Sequence, residues 1–165
     1  QQQRRDEIIE RTKRDIDELK DDDGLYKVPF KGTFNYACFA DFVVNREKRT
    51  VVALLRGYQT GKVLARGIAN CHPNDCFNVH IGKSIALRRA LNLEVPNEYL
   101  NAPQPTEVRV GDVVYVSDTY PRVVAKEGPW SAGSGFINVK TAQYWLNNSG
   151  VKIIDDSRED VEQEV

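Results

Sequence analysis

The sequence changes its hydrophobic period between residues 51 and 91, and this change constrains the fold more than any other feature. Residues 51–56 and 62–69 are apolar, β-branched runs joined by a short loop that contains Gly57 and Gly61, a pattern typical of a β-hairpin. Polar turn residues follow, and apolar side chains then recur at helical spacing up to Leu91. The sequence therefore predicts two antiparallel strands followed by a helix at 79–91.

The residues before this hairpin extend the prediction to a complete module. Alternation over 35–44 indicates another strand, and 25–34 is expected to be a connector. Residues 4–20 form an amphipathic helix that packs on its own domain or pairs with a second copy, because their apolar seam is only two heptads long. The predicted fold is α+β, with an αβββα order. The seam consists of Ile9, Thr12, Ile16 and Leu19.

The chain divides into five predicted segments. Prolines in 92–107 break regular structure, and 108–154 alternates in short strands at 108–116, 122–125, 135–139 and 151–154, with a helix at 140–147. The run Val-Gly-Asp-Val-Val at 110–114 resembles SH3-type barrels. The segments are a helix (1–24), the αβββα core module (25–91), a proline-containing linker (92–107), a small β-rich SH3-like module (108–154) and an acidic disordered tail (155–165).

Charge is distributed unevenly along the chain. Residues 25–91 contain eleven Lys and Arg and three acids, a balance of +8, whereas 1–24 and 92–165 carry −3 and −6. The total of −1 therefore conceals a basic centre between acidic ends. Because such asymmetry bears on partners rather than on fold, it predicts an anionic partner for the central module. We expect the basic residues of 46–91 to converge on one surface.

Composition and motifs argue against several functional classes. The sequence contains no phosphate-binding loop, dinucleotide fingerprint or nucleophile elbow, so we expect neither an enzyme nor a cofactor. The group Cys71, His72, Cys76 and His80 lacks the spacing of a structural zinc site, and we expect no metal. An odd number of cysteines, no apolar run long enough to cross a bilayer and a charged N-terminus favour a cytoplasmic protein without a membrane partner.

A short pattern of residues carries a family resemblance. It consists of Gly67-Ile68-Ala69, then Cys71-x-Pro73-x-Asp75-x-Phe77, then Gly82-Lys83-x-Ile85-Ala86-x-x-Arg89-Ala90. This pattern resembles a small domain of uncharacterised bacteriophage and prophage proteins. The order of helix, three strands and helix is also similar to double-stranded RNA-binding domains. The resemblance implies a phage protein that acts in the cytoplasm of the host cell, in host takeover or anti-defence.

Two functional hypotheses follow. The first is non-enzymatic capture of an anionic nucleotide-type ligand, either nucleic acid or a signalling nucleotide. The alternative is an interaction or assembly factor that binds an acidic protein surface of the host or phage, with a homo-oligomer possible through the N-terminal helix. The basic side chains would neutralise phosphates and Phe77 would stack on a base. The predicted ligand-binding residues are Arg56, Lys62, Arg66, Phe77, Lys83, Arg88 and Arg89.

Arg88 and Arg89 are expected to have different roles. Adjacent helical residues point about 100° apart, so both cannot lie on the same side. We expect Arg89 to face the ligand near Gly82, where a ligand could approach the backbone. We expect Arg88 to be held by carboxylates or carbonyls at a second contact.

Overall fold

The chain forms two compact units in a computed structural model that describes residues 1–115, 121–125 and 135–159. The first unit comprises Arg4–His72 and Val79–Ala102. The second comprises Gln1–Gln3, Pro73–Asn78 and the described residues from Pro103 onward. The predicted α+β class is confirmed: an N-terminal helix precedes an antiparallel four-stranded sheet, and a second, smaller sheet follows.

The sheet of the first unit has strand order β1-β2-β3-β4, and all of its neighbouring strands are antiparallel. The helix predicted at 79–91 is confirmed as α2, and the linker contains one additional short helix, α3. The elements are α1 (Gln2–Glu18), β1 (Tyr26–Phe30), β2 (Phe34–Asn45), β3 (Thr50–Gly57), β4 (Val63–Asn70), α2 (Val79–Ala90) and α3 (Asn97–Leu100).

Side chains that alternate along β3 set the position of α2. Val51, Ala53 and Leu55 are fully buried on one face of the sheet, which we call the inner face. Gly67 of β4 permits very close packing there, because a Cβ atom at this position would lie only 1.9 Å from the Ala86 carbonyl oxygen of α2. Gly82 has a similar role, since its Cβ would lie 2.6 Å from Val51 Cγ2. The helix therefore rests almost directly on the strands.

Helix α1 belongs to the core of the first unit. Ile8, Ile9 and Thr12 are buried, and the Tyr26 hydroxyl donates to the Ile16 carbonyl over 2.6 Å. The predicted seam is thus largely covered within the chain. This arrangement agrees with the expectation of a helix packed on its own domain and leaves little of the seam for pairing with a second copy.

Residues 26–30 correct the predicted connector, because they form β1 and pair with β2. Lys31 and Gly32, with φ values of 46° and 71°, form the turn between the two strands. The strand was not predicted from the sequence because it contains Pro29, and proline is rare within strands. A proline is tolerated here because β1 is an edge strand. One side of an edge strand has no neighbouring strand, so a missing N–H on that side removes no ladder hydrogen bond. The predicted αβββα order is therefore αββββα.

The second unit is built on a mixed sheet of order β7-β6-β5-β8, in which β6 and β7 are parallel. This parallel pair differs from the antiparallel strands expected of an SH3-like module. Val114, Val124, Ile137 and Ile153 are buried in its core. The elements are β5 (Val113–Tyr115), β6 (Arg122–Ala125), β7 (Phe136–Asn138), α4 (Val139–Asn148) and β8 (Lys152–Asp155).

Two predictions for this region need correction. Within the described part of 108–116, only 113–115 form a strand, because Gly111 adopts a φ of 92° in the preceding turn. The start of the expected disordered tail is ordered: Asp156 and Ser157 are buried, and Asn78 Nδ2 donates to Asp156 Oδ1 over 2.9 Å. Residues 160–165 of that predicted tail lie outside the described residues.

Candidate anion-binding site on the outer face of the sheet

The sheet face opposite α2, which we call the outer face, brings together residues of β2, β3 and β4. The strand register places Phe39 opposite Arg56 and Asp41 opposite Leu54. Leu54 in turn lies opposite Arg66 of β4. One row further along, Val43, Val52 and Ile68 lie side by side. Strand alternation therefore assembles a surface on which arginines and apolar side chains are neighbours.

The cations of this face differ in how firmly they are held. Arg56 Nε lies 3.3 Å from Asp41 Oδ2, and its Nη1 donates to the Gly61 carbonyl over 3.3 Å. Arg66 and Lys62 are exposed, and their charged groups form no hydrogen bond or ion pair with any residue that the structure describes. Arg66 on β4 and Lys62 in the loop before it therefore offer charged groups that have no partner among the described residues, near an arginine that is held in place.

Apolar and aromatic side chains are also exposed on this side of the sheet. Phe39 is 42% exposed, Val43 51% and Ile68 40%. Tyr58, which is 65% exposed, lies just beyond Arg56, and its backbone N–H donates to the Ala37 carbonyl over 2.9 Å. Several exposed apolar and aromatic side chains on one side of a sheet are typical of a binding surface.

The basic residues of α2 lie elsewhere. Lys83 Nζ is 5.9 Å from the ring centroid of Phe42, which shares the inner face with Ala53. Arg89 is exposed at the sheet edge, where its Nη1 donates to the Ile68 carbonyl of β4 over 2.7 Å. The prediction that the basic residues share one surface is therefore wrong, because the sheet separates Arg56 and Arg66 from the helix.

Arg88 is fully engaged inside the first unit. Its Nε donates to Asp15 Oδ2 over 2.7 Å, a second nitrogen donates to Asp15 Oδ1, and Nη1 donates to the Glu94 carbonyl over 3.0 Å. Ser84 also donates to Asp15. Burial alone would raise the pKa of Asp15, but the hydrogen bonds from Arg88 and Ser84 outweigh it and lower that pKa. Arg88 is thus held by a carboxylate and a carbonyl, as expected, and its donors are occupied.

Phe77 is a core residue of the second unit rather than a stacking surface. Phe77 is only 3% exposed. Its backbone N–H donates to the Ile154 carbonyl of β8, and its own carbonyl accepts from the Asp156 N–H. The expected ligand approach at Gly82 is also excluded in this structure, since Val51 occupies that space.

The cysteine and histidine group at 71–80 does not form a metal-ligand cluster. No set of three or more His, Cys, Asp and Glu side chains within the described residues is arranged to hold a metal ion. Cys71 Sγ instead lies 3.2 Å from Arg49 Nη2, and Cys76 is buried in the core of the second unit.

Sequence reasoning missed Phe39 and Tyr58. For Phe39 a signal was present, because residues 35–44 have apolar side chains at both odd and even positions, so each face of β2 has hydrophobic side chains. A strand that is apolar on both faces is typical of one covered on both sides. Among the described residues of the first unit, α2 covers the inner face, whereas Phe39 and Val43 on the opposite face are exposed.

Comparison with protein-family models, curated proteins and solved structures found no match to this chain. Among the described residues, no helix is both long enough and apolar enough to cross a bilayer.

Proposed function

We propose that the outer face binds an anionic nucleotide-type ligand, either nucleic acid or a signalling nucleotide, without catalysing a reaction. The observation that supports this most is the exposure of Arg66 and Lys62 beside Arg56 and the aromatic Phe39. Exposed guanidinium and ammonium groups neutralise phosphates, and guanidinium can donate two hydrogen bonds to one phosphate. Of the predicted ligand-binding residues, Arg56, Lys62 and Arg66 carry this role, and Arg89 lies at the edge of the same strand.

Replacement of single cations tests this proposal. Binding of fluorescent oligonucleotides and nucleotides is measured by anisotropy between about 50 and about 200 mM salt. We expect Arg66→Ala and Lys62→Ala each to weaken binding and to reduce the salt slope by about one. Arg14→Ala, which removes an exposed charge from α1, is the matched control and leaves binding unchanged. Equal affinity of Arg66→Ala, Lys62→Ala and the parent protein would overturn the proposal.

The aliphatic row of Val43, Val52 and Ile68 favours a second candidate, an interface for an acidic protein surface. Interfaces commonly combine an apolar centre with arginine. Ile68→Ser and Val43→Ser would then abolish association with the partner, whereas nucleotide binding would not be detected in the parent protein. A concentration-dependent mass by light scattering would identify a second copy as that partner.

The proposal also includes a biological role and a choice of partners. A phage protein that acts in the host cytoplasm, in host takeover or anti-defence, is what the sequence resemblance implies. Of the partners predicted, only the nucleotide ligand and the acidic protein have support from the outer face. A dimer through α1 does not, because Ile9 and Thr12 are buried within the chain.

A further inference from the structure

We infer that the ligand of the outer face is single-stranded nucleic acid, whose unpaired bases stack on Phe39 and Tyr58 while Arg56, Lys62 and Arg66 contact its phosphates. This inference rests on the proposed function and specifies the class of its ligand.

The shape of the outer face disfavours a small nucleotide. Small ligands are usually bound in concave sites that bury most of their surface. The outer face is instead one side of a sheet, and three of its side chains on two different strands remain about half exposed: Phe39, Val43 and Ile68. An open surface of this kind suits an extended polymer, which gains affinity by crossing several strands.

The aromatic residues disfavour a duplex. In double-stranded nucleic acid the base faces are stacked inside the helix, so a protein contacts mainly phosphates, sugars and groove edges. Exposed rings beside cations would then have nothing to stack on. Unpaired bases present a π-face to any aromatic side chain, and such stacking is tolerant of sequence.

The arrangement around Arg56 fits a strand that passes over the end of β2 and β3. Phe39 lies directly across from Arg56 on the neighbouring strand. Tyr58 lies two residues beyond Arg56, and its bond to Ala37 continues the ladder. Phe39 and Tyr58 are thus diagonal neighbours across two strands, a spacing of about 7–8 Å, so the two rings can serve successive splayed bases. The guanidinium between them is held by Asp41 and the Gly61 carbonyl, which orients it before the ligand arrives.

The local charge is favourable despite Asp41. This carboxylate is already paired with Arg56, whereas Arg66 and Lys62 have no described partner. The surplus at this end of the outer face is therefore positive. An extended phosphate backbone would satisfy both exposed cations at once.

Anisotropy measurements on the full chain test the inference. The probes are a fluorescein-labelled oligothymidine of about 15 nucleotides, the same strand annealed to its complement, and a labelled mononucleotide. We expect the single strand to bind at least tenfold more tightly than the duplex or the mononucleotide. Phe39→Ala and Tyr58→Ala should each weaken single-strand binding about tenfold, within the range measured for loss of a base-stacking contact, with little change in the salt slope.

Phe34→Ala is the matched control, because Phe34 is an aromatic residue of intermediate exposure between Phe39 and Tyr58 and lies outside the outer face, against Phe30 and Tyr36 in the β1–β2 hairpin. It should bind the single strand like the parent protein. Circular dichroism melts verify that each variant is folded. If Phe39→Ala disturbs the sheet, the Tyr58→Ala variant alone tests the inference.

The outcomes separate the inference from the function on which it rests. If the duplex or the mononucleotide binds as tightly as the single strand, or if Phe39→Ala and Tyr58→Ala behave like Phe34→Ala, the inference is wrong while anion binding stands. If none of the three probes binds in a salt-dependent manner, the proposed function itself is wrong.

Discussion

Arg88 and Arg89 are adjacent in the chain, yet their side chains are in different environments. Arg88 is bound by Asp15 and the Glu94 carbonyl inside the first unit, whereas Arg89 is exposed and contacts one strand carbonyl. The angle of about 100° between successive helical residues separates them. Asp15 is buried, so its ionised carboxylate is stable there only with the Arg88 guanidinium as its partner. The pair therefore offers a direct comparison of a structural and a surface arginine.

We predict that Arg88→Ala lowers the free energy of unfolding by about 3 kcal/mol, because it leaves the buried Asp15 carboxylate without its cation. Arg89→Ala is the matched control and should change stability by less than about 1 kcal/mol. Urea denaturation followed by circular dichroism measures both. Similar stability of the two variants would show that Asp15 does not depend on Arg88.

The sequence predicted that the two arginines lie in different environments, but it did not identify Asp15 as the partner of Arg88. Asp15 lies 73 positions before Arg88, in a helix whose charges are mixed in sign, so nothing local identified it. Phe77 was misassigned for a similar reason. It follows a polar turn, which favoured an exposed position, but it is buried and pairs with β8, far along the chain.

Among the elements, α2 and β4 show how glycine determines packing distance. A Cβ atom at Gly67 would lie 1.9 Å from the Ala86 carbonyl oxygen and 2.5 Å from the Ala90 nitrogen, which are backbone atoms of α2 and cannot rotate away. The helix would have to move off the sheet to accept any side chain there. Gly67 thus fixes the closest approach between the two elements.

We predict that Gly67→Ala destabilises the protein by about 3 kcal/mol or more, since the added methyl group overpacks a backbone contact. Ile68→Thr, the neighbouring substitution on the outer face, keeps a β-branched residue and should cost less than about 1 kcal/mol. Thermal melts by circular dichroism distinguish the two. A Gly67→Ala variant that melts with the parent would show that α2 moves without cost.

The order of the elements was predicted correctly where the hydrophobic period was clear, and one strand was missed where a single proline interrupted the strand pattern. The hairpin of β3 and β4 and the helix α2 were recovered because apolar residues alternate and then recur at helical spacing. Strand β1 was missed because Pro29 is rare in strands and its edge position is not readable from sequence. The charge balance identified residues 25–91 as basic, but a count along the sequence cannot show that the sheet places these cations on different sides.

For the whole molecule, two buried carboxylates give opposite pH dependences. Burial raises the pKa of Asp112 to about 7, although the Arg109 N–H and the charge of Arg158, whose Nε lies 3.1 Å away, act in the other direction. The folded state therefore binds a proton that the unfolded state has already released above its ordinary pKa of 3.8. Stability contributed by this group falls as pH rises from about 4 to about 7. Asp15 behaves in the opposite way, because its lowered pKa makes it stabilising above its ordinary value and costly only in acid.

We predict that the urea midpoint of the parent protein decreases between about pH 5 and about pH 7, with Asp112 contributing up to about 4 kcal/mol over its full range. Asp112→Asn removes this titration and should flatten the decrease. Asp22→Asn, at an exposed position, is the matched control and should retain it. Tryptophan fluorescence is the measurement, since Trp145 packs on the core of the second unit. An unchanged slope in Asp112→Asn would contradict the prediction.

The second unit draws on three separate stretches of chain: Gln1–Gln3, Pro73–Asn78 and the residues after Pro103. On the ribosome, every residue of the first unit is made by the time Ala102 emerges. At that point β8 has not yet been synthesised. Cys76 therefore lacks Ile153, a member of the same core, and the Phe77 N–H lacks the Ile154 carbonyl to which it donates. Translation therefore imposes an order of assembly, and any product that stops between residues 103 and 107 contains every residue of the first unit but leaves Cys76 without the core into which it packs.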